Sequence, residues 1–293
     1  MRNEHKERHA GGDLPVVVYS PDSAISSPDK AVREMYADLR ASTGLAWRLT
    51  IRDISAQYRQ SYLGLLWAFI LPLTNTLVWV FLSSSGIVAV SKTTVPYPVF
   101  VFVGTILWSV LVDAVNAPLQ QSNSAKQMLA KLNFPREAII LSGIYTTLFN
   151  AGIRIVLLLA ILPLLGVPWS ATLLLFPLAL FSIVLTGTAI GLTLTPLGLL
   201  YTDVTKGLPL LMQALMYSAP VVFPVPEEGW GRIVLTLNPL APLIVTGRDW
   251  LTGSTGEYLL GFVVVTAFFG LLLFAAWAVF RLAMPILIER MSS

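Results

Sequence analysis

SYLGLLWAFILPLTNTLVWVFLSSSGIVAV, residues 61–90, contains no charged side chain. A run of about 20 apolar residues crosses a bilayer core of about 30 Å as a helix rising 1.5 Å per residue. Lipid offers no hydrogen-bond partners, so a segment of this length must satisfy its backbone internally, and a helix does so. Five more stretches read the same way. Residues 98–112, 171–200, 207–223 and 258–280 carry no charge, and residues 138–163 carry only Arg154. The expectation is an all-α polytopic membrane protein with six transmembrane helices.

Composition agrees. The chain is 55% hydrophobic with mean hydropathy +0.73, and its charged fraction of 12% is about half the roughly 25% of soluble domains. The net charge of +3 does not indicate nucleic acid, because the basic residues sit in connections between apolar spans. With no cysteine there is no disulfide framework, thiolate metal site or cysteine nucleophile. The first 30 residues are polar and lack the apolar core of a signal peptide, so the first span reads as a retained anchor.

Lysine and arginine fix the orientation. With both termini in the cytoplasm, only Lys92, Arg232 and Arg248 of the 19 basic residues fall in outer connections, and Arg154 falls within a span. The positive-inside rule selects this topology. Trp169, Trp230 and Trp250 then lie in outer connections, where interfacial aromatics are expected.

Around the spans the chain divides as follows. Residues 1–42 read as a cytoplasmic lead, irregular to Pro28, with a short helix starting at Ser27. Residues 43–60 form a second, amphipathic helix: Ala46, Leu49, Asp53 and Ala56 share one side, with Trp47, Ile51, Ile54 and Tyr58 on another, among Arg48, Arg52 and Arg59. Such a helix lies in the headgroup plane, or else it simply extends span one. Residues 61–283 form the membrane domain and 284–293 a cytoplasmic tail. Within the domain, the cytoplasmic connection 116–136 has helix formers over 122–132 and an exposed Phe134 among basic residues, either a docking point or part of a local mini-core. The long outer connection 224–257 has an apolar run, 233–245, broken by Asn238-Pro239 and Pro242. It is too short to span, so an outer re-entrant helical hairpin between spans five and six is expected.

Chemistry has few footholds. His5 and His9 sit in the polar lead, and no G-x-x-x-x-G-K-[ST] loop is present, so the chain itself lacks this way of cradling ATP. Gly187, Gly191 and Gly198 suit close helix packing. Arg154, an intramembrane charge, lies about 16 residues or about 24 Å into span three. Asp113 is read at the inner end of span two, so the depths differ and a simple pair is not expected; Asn150 precedes Arg154 by one turn on the same face. Its role is structural or part of a pathway. The chain shows no buried acidic or histidine relay of the kind proton-coupled carriers use. Aromatic side chains run before and through span one (Tyr58, Tyr62, Trp67, Trp79, Phe81), and Met216, Tyr217 and Phe223 mark span five. They fit a sliding polymer, or lipid contact and helix packing.

Several motifs resemble one family in order along the chain. They are Arg52-Asp53-Ile54, the run Tyr58-Arg59-Gln60-Ser61-Tyr62-Leu63-Gly64-Leu65-Leu66-Trp67 with Leu71-Pro72-Leu73 behind it, Lys131-Leu132-Asn133-Phe134-Pro135-Arg136-Glu137, Thr202-Asp203-Val204, Ser218-Ala219-Pro220-Val221, and Asn238-Pro239-Leu240. Over residues 47–281 the chain resembles permease subunits of polysaccharide-exporting ABC transporters, which move O-antigen, capsule, teichoic acid and related envelope glycans. Thr202 stands where that family often has a basic residue.

The resemblance implies a permease homodimer in the cytoplasmic (inner) membrane, paired with two separate ATP-binding cassette subunits that carry ATP and Mg. No cofactor is implied on this chain. Residues 43–60 would be the interface helix, and 122–136 would hold the coupling helix. Lys126, Lys131, Phe134, Arg136 and Asp203 are the implied ATPase contacts. Spans one and five would line the channel, making Tyr58, Tyr62, Trp67, Trp79, Met216, Tyr217 and Phe223 candidate substrate contacts. The substrate would be a lipid-linked glycan, reoriented and then threaded outward. The competing readings are an ABC exporter of lipid or drug and a membrane glycosyl or lipid transferase; for a transferase, only Asp53 and Asp203 lie near an interface.

Overall fold

The computed structural model describes residues 28–59, 62–88, 92–126, 128, 135–226, 228–256 and 258–292. Among them there are helices and turns and no strand. Helix α1 is Pro28–Tyr58, α2 is Trp67–Ser84, α3 is Tyr97–Ser124, α4 is Glu137–Ile161 and α5 is Phe176–Leu200. Helix α6 is Thr202–Tyr217, α7 is Trp230–Leu237, α8 is Ala241–Thr252 and α9 is Leu259–Ser292. Short 3-10 turns stand at Gly64–Leu66, Pro163–Leu165 and Ala171–Leu175.

Five segments are long and apolar enough to cross a membrane: Trp67–Ser84, Tyr97–Ser124, Glu137–Leu165, Ala171–Leu200 and Leu259–Met284. They answer to five of the expected spans. In place of the remaining one, 207–223, stands α6 of 16 residues, about 24 Å long, then a turn through Phe223. The helix ends at Tyr217, and Pro220 has no N–H to give the Met216 carbonyl, so the turn is not drawn back into the helix.

Helix α3 is the hub. Of its apolar stretch 78% is buried, against 11% for α2 and 17% for α9, and it packs on α2, α4, α5 and α8. Small residues permit this. A Cβ on Gly187 would strike Ala114 and come within 2.9 Å of the Leu111 carbonyl, and one on Gly191 would strike the Val115 carbonyl. A Cβ on Gly198 would sit 2.7 Å from the Leu119 side chain. The glycines therefore act as close-packing positions for α5 on α3.

The ends of the elements differ from the sequence expectation. The lead helix and the amphipathic helix are one, α1, which stops at Tyr58 and is separated from α2 by a turn with Gly64 at φ +48°. It does not extend span one. Residues 28–38 are its opening turns, with Val32 and Tyr36 exposed; residues 39–293 hold the remainder of the fold. Its Ala46 and Leu49 side is buried against Ala138, while Trp47 and Ile51 stay exposed. Helix α3 runs on to Ser124, so the first part of the expected connection 116–136 is its C-terminal end. Helix α9 likewise continues through the expected tail to Ser292. Between α6 and α9, over the residues read as a hairpin, stand two short helices, α7 and α8, separated at Asn238.

Candidate functional site

Three groups of side chains stand out, and the first crosses the bundle. Arg154 on α4 donates from Nη1 to Asp113 Oδ2 on α3 at 2.7 Å and from Nε to the Ala68 carbonyl on α2 at 3.2 Å. The sequence reading of unequal depths is corrected here. Asp113 is not at the end of its helix; α3 continues 11 residues beyond it, so the carboxylate lies well inside the membrane domain and within reach of a long guanidinium. Pro72 explains the third partner. It has no N–H to give the carbonyl four residues earlier, which is Ala68, and Arg154 occupies that vacancy. At the foot of this cluster the Tyr58 hydroxyl, closing α1, donates to Asn150 Oδ1 at 3.0 Å. Burial raises the pKa of Tyr58, with Arg154 lowering it and Asp113 raising it. Tyr58 therefore faces α4 rather than the other aromatic candidates.

The second group holds the turn after α6. Arg248 on α8 is 2% exposed and donates from Nη2 to the carbonyls of Pro220, at 2.7 Å, and Val221, at 3.0 Å. Its guanidinium lies 3.5 Å from the centroid of the Phe100 ring, a cation–π contact. Burial draws its pKa down to about 9, opposed by Asp249, so it stays protonated at neutral pH. Gly104 makes room: a Cβ there would strike the Val221 carbonyl and stand 2.6 Å from Arg248 Nη2. Asn238 Nδ2 donates to the Ser218 carbonyl at 2.8 Å, and its Oδ1 accepts from the Leu240 amide at 2.9 Å. The Tyr97 hydroxyl donates to the Val222 carbonyl at 3.2 Å. The runs Ser218-Ala219-Pro220-Val221 and Asn238-Pro239-Leu240, 20 residues apart in sequence at Ser218 and Asn238, are thus one hydrogen-bonded unit.

The third group is aromatic. Trp79 on α2 meets Tyr217 with ring centroids 6.1 Å apart and Phe223 at 5.0 Å, edge to face in the second case. These three candidates come together, whereas Tyr62 is exposed in the bend before Gly64, Trp67 is exposed at the start of α2, and Met216 is half-buried. Sequence reading missed Arg248, taking it as an outer loop charge, and Trp250, which is buried edge to face against Phe262 rather than at an interface. The available signal was a charged pair, Arg248-Asp249, inside an otherwise apolar run from Leu240 to Leu251.

The sequence that builds this helical membrane domain matches known proteins. The profile of the ABC-2 type transporter family matches residues 45–251. The chain belongs to that family. The O-antigen export system permease protein RfbA of Myxococcus xanthus is 26% identical over 221 residues, covering 74% of this chain and 82% of that protein. The RfbA protein of Klebsiella pneumoniae is 24% identical over 236 residues, 77% of this chain and 86% of its own. The polysialic acid transport protein KpsM of Escherichia coli is 25% identical over 241 residues, 77% and 90%.

On the opposite side of this ABC-2 transporter, the coupling candidates are spread. Lys126 is exposed just past α3, and Asp203 is exposed in the first turn of α6, where the helix dipole favours a carboxylate. Arg136 is tied inward, donating to the Arg281 carbonyl at 3.3 Å, while Arg281 pairs with the buried Glu137 at 3.4 Å. Lys131 and Phe134 lie outside the described residues, as do His5 and His9.

Proposed function

We propose that this ABC-2 transporter is the permease subunit of an ATP-driven exporter that carries a lipid-linked polysaccharide across the inner membrane. Two copies would enclose the channel, and two separate ATP-binding subunits would drive it from the cytoplasm. The observation that carries the reading is the similarity to O-antigen and polysialic acid permeases over about three quarters of this chain and more of theirs.

The fold supports the mechanism at two places. Helix α2 leaves most of its surface uncovered within one chain, as a wall shared between two copies or facing a lumen would. Its Trp79 meets the outer end of α6 through Tyr217 and Phe223, offering aromatic faces on which sugar rings slide without one tight site. On the cytoplasmic side, Lys126, Lys131, Phe134, Arg136 and Asp203 would meet the ATPase. Through Tyr58, Asn150, Arg154 and Ala68, displacement of α1 would reach α2.

The test is genetic and biochemical. Deleting the gene should remove a glycan from the cell surface and accumulate its lipid-linked form inside, with rescue by the wild-type chain. Affinity purification should bring down an ATPase subunit in equal amount. Unchanged surface glycan with loss of another exported lipid or drug would replace the substrate assignment.

A further inference from the structure

Beside the Arg248 clamp lies a cavity of about 380 Å3, within the roughly 300–1,000 Å3 of small-ligand pockets. Four segments bound it: residues 92–94 before α3, Phe100 on α3, residues 220–225 after α6, and α8 with the loop that follows. Lys92, Thr94 and Thr255 are exposed at its rim, so it opens at the surface of the chain. None of these residues belongs to the aromatic wall or to the coupling region.

The chemistry of the lining narrows the ligand. Lys92 and Arg248 bring positive charge and Asp249 negative charge, so a multiply charged anion or a metal cation would meet a like charge. Thr93, Thr94, Ser254 and Thr255 bring hydroxyls, each able to donate and accept. Arg248 Nε is buried with no hydrogen-bond partner among the described residues, an opening for a ligand oxygen. Phe100, Pro220 and Tyr258 add apolar surface. A neutral, hydroxylated ring with an apolar C–H face answers all of these at once.

We infer that this cavity is an outer sugar subsite, which takes a single sugar unit of the glycan beside the Arg248-held turn. The inference rests on the polysaccharide reading and names where on the outer side this chain holds its cargo. Binding there is weak and exchanges quickly, because most of the polar partners stand at an open rim.

The chain has no cysteine, so one introduced thiol reports on the cavity. Full-length permease carrying Thr255→Cys in nanodiscs is labelled with a maleimide in the presence of free hexoses, 6-deoxyhexoses, N-acetylhexosamines or hexuronic acids, with inorganic phosphate as the anionic probe. At least one sugar class should slow labelling threefold or more, while phosphate leaves it unchanged. Ser254→Cys should behave alike. Leu164→Cys, on the exposed turn after α4, should label at one rate throughout. Adding Asp249→Asn or Lys92→Ala should abolish the protection. Equal labelling with and without every sugar at both positions overturns the subsite, as does protection by phosphate alone. Surface glycan in the complemented deletion strain is scored separately. If it is restored while no sugar protects, the subsite alone falls; if it never depended on this chain, the polysaccharide reading falls and the subsite with it.

Discussion

Arg154 stands in for the amide that Pro72 lacks. Its Nε donates to the Ala68 carbonyl at 3.2 Å while Nη1 pairs with Asp113 at 2.7 Å, so one guanidinium joins α2, α3 and α4. Removing it by Arg154→Ala leaves both a carboxylate and a carbonyl unpaired. Breaking a fully buried pair costs about 3–5 kcal/mol; with the Asp113 side chain 31% exposed, about 2 kcal/mol is expected. The double variant Arg154→Ala with Asp113→Ala should recover part of that loss. Thermal unfolding of purified permease in detergent measures both. A double variant as unstable as the sum of the singles would show that the two side chains are not coupled.

The turn after α6 depends on close packing at Gly104. Arg248→Met removes the donor from two carbonyls, at about 1–3 kcal/mol for each left unsatisfied, and Gly104→Ala pushes a methyl into the same space. Both variants should lower the unfolding temperature and speed amide exchange over residues 218–223, with little change in α9. Normal protection of that turn in both variants would remove the clamp from the account.

The spans were legible because apolar length is a strong signal, and the small residues of α5 announced close packing before their partners on α3 were known. What escaped had long-range causes. The Arg154–Asp113 pair could not be read from residue depth, because the inner end of α3 has ordinary polar composition and the helix continues through it. Arg248 looked like an outer loop charge, and only the folded chain brings Pro220 and Val221 beneath it. The aromatic candidates separated for a related reason: Trp79 finds Tyr217 and Phe223 through the meeting of α2 and α6, which spacing along either helix does not encode.

The chain lacks a phosphate-cradling Gly-rich loop with its Lys, so the purified permease should show no thermal shift with ATP and Mg. The shift should arise when an ATPase subunit is added. A clear shift with the permease alone would place a nucleotide site on this chain.

On the proposed coupling role, Phe134→Ala should uncouple ATP hydrolysis from export while the permease stays folded. Truncating an interface anchor costs about 2 kcal/mol or more at a hot spot, which would appear as weaker recovery of the ATPase on purification. Unaltered recovery and unaltered export would assign Phe134 to packing within its own loop.

The aromatic wall gives the last expectation. A polymer that slides needs several weak and similar contacts, since a single tight site would hold it, and aromatic pairs contribute about 0.5–1.5 kcal/mol beyond area burial. Trp79→Ala, Tyr217→Ala and Phe223→Ala should each slow glycan display modestly, and the triple variant severely. Tyr62, exposed ahead of α2, and Trp67, exposed at its start, should add to the effect if the chain passes them too. Because Trp79 also touches Tyr217 and Phe223, packing must be separated from transport. The measurement is surface glycan against the yield of permease–ATPase complex for each variant. Slower display at unchanged yield supports the wall; display and yield falling in proportion would make these residues a packing cluster and move the channel elsewhere.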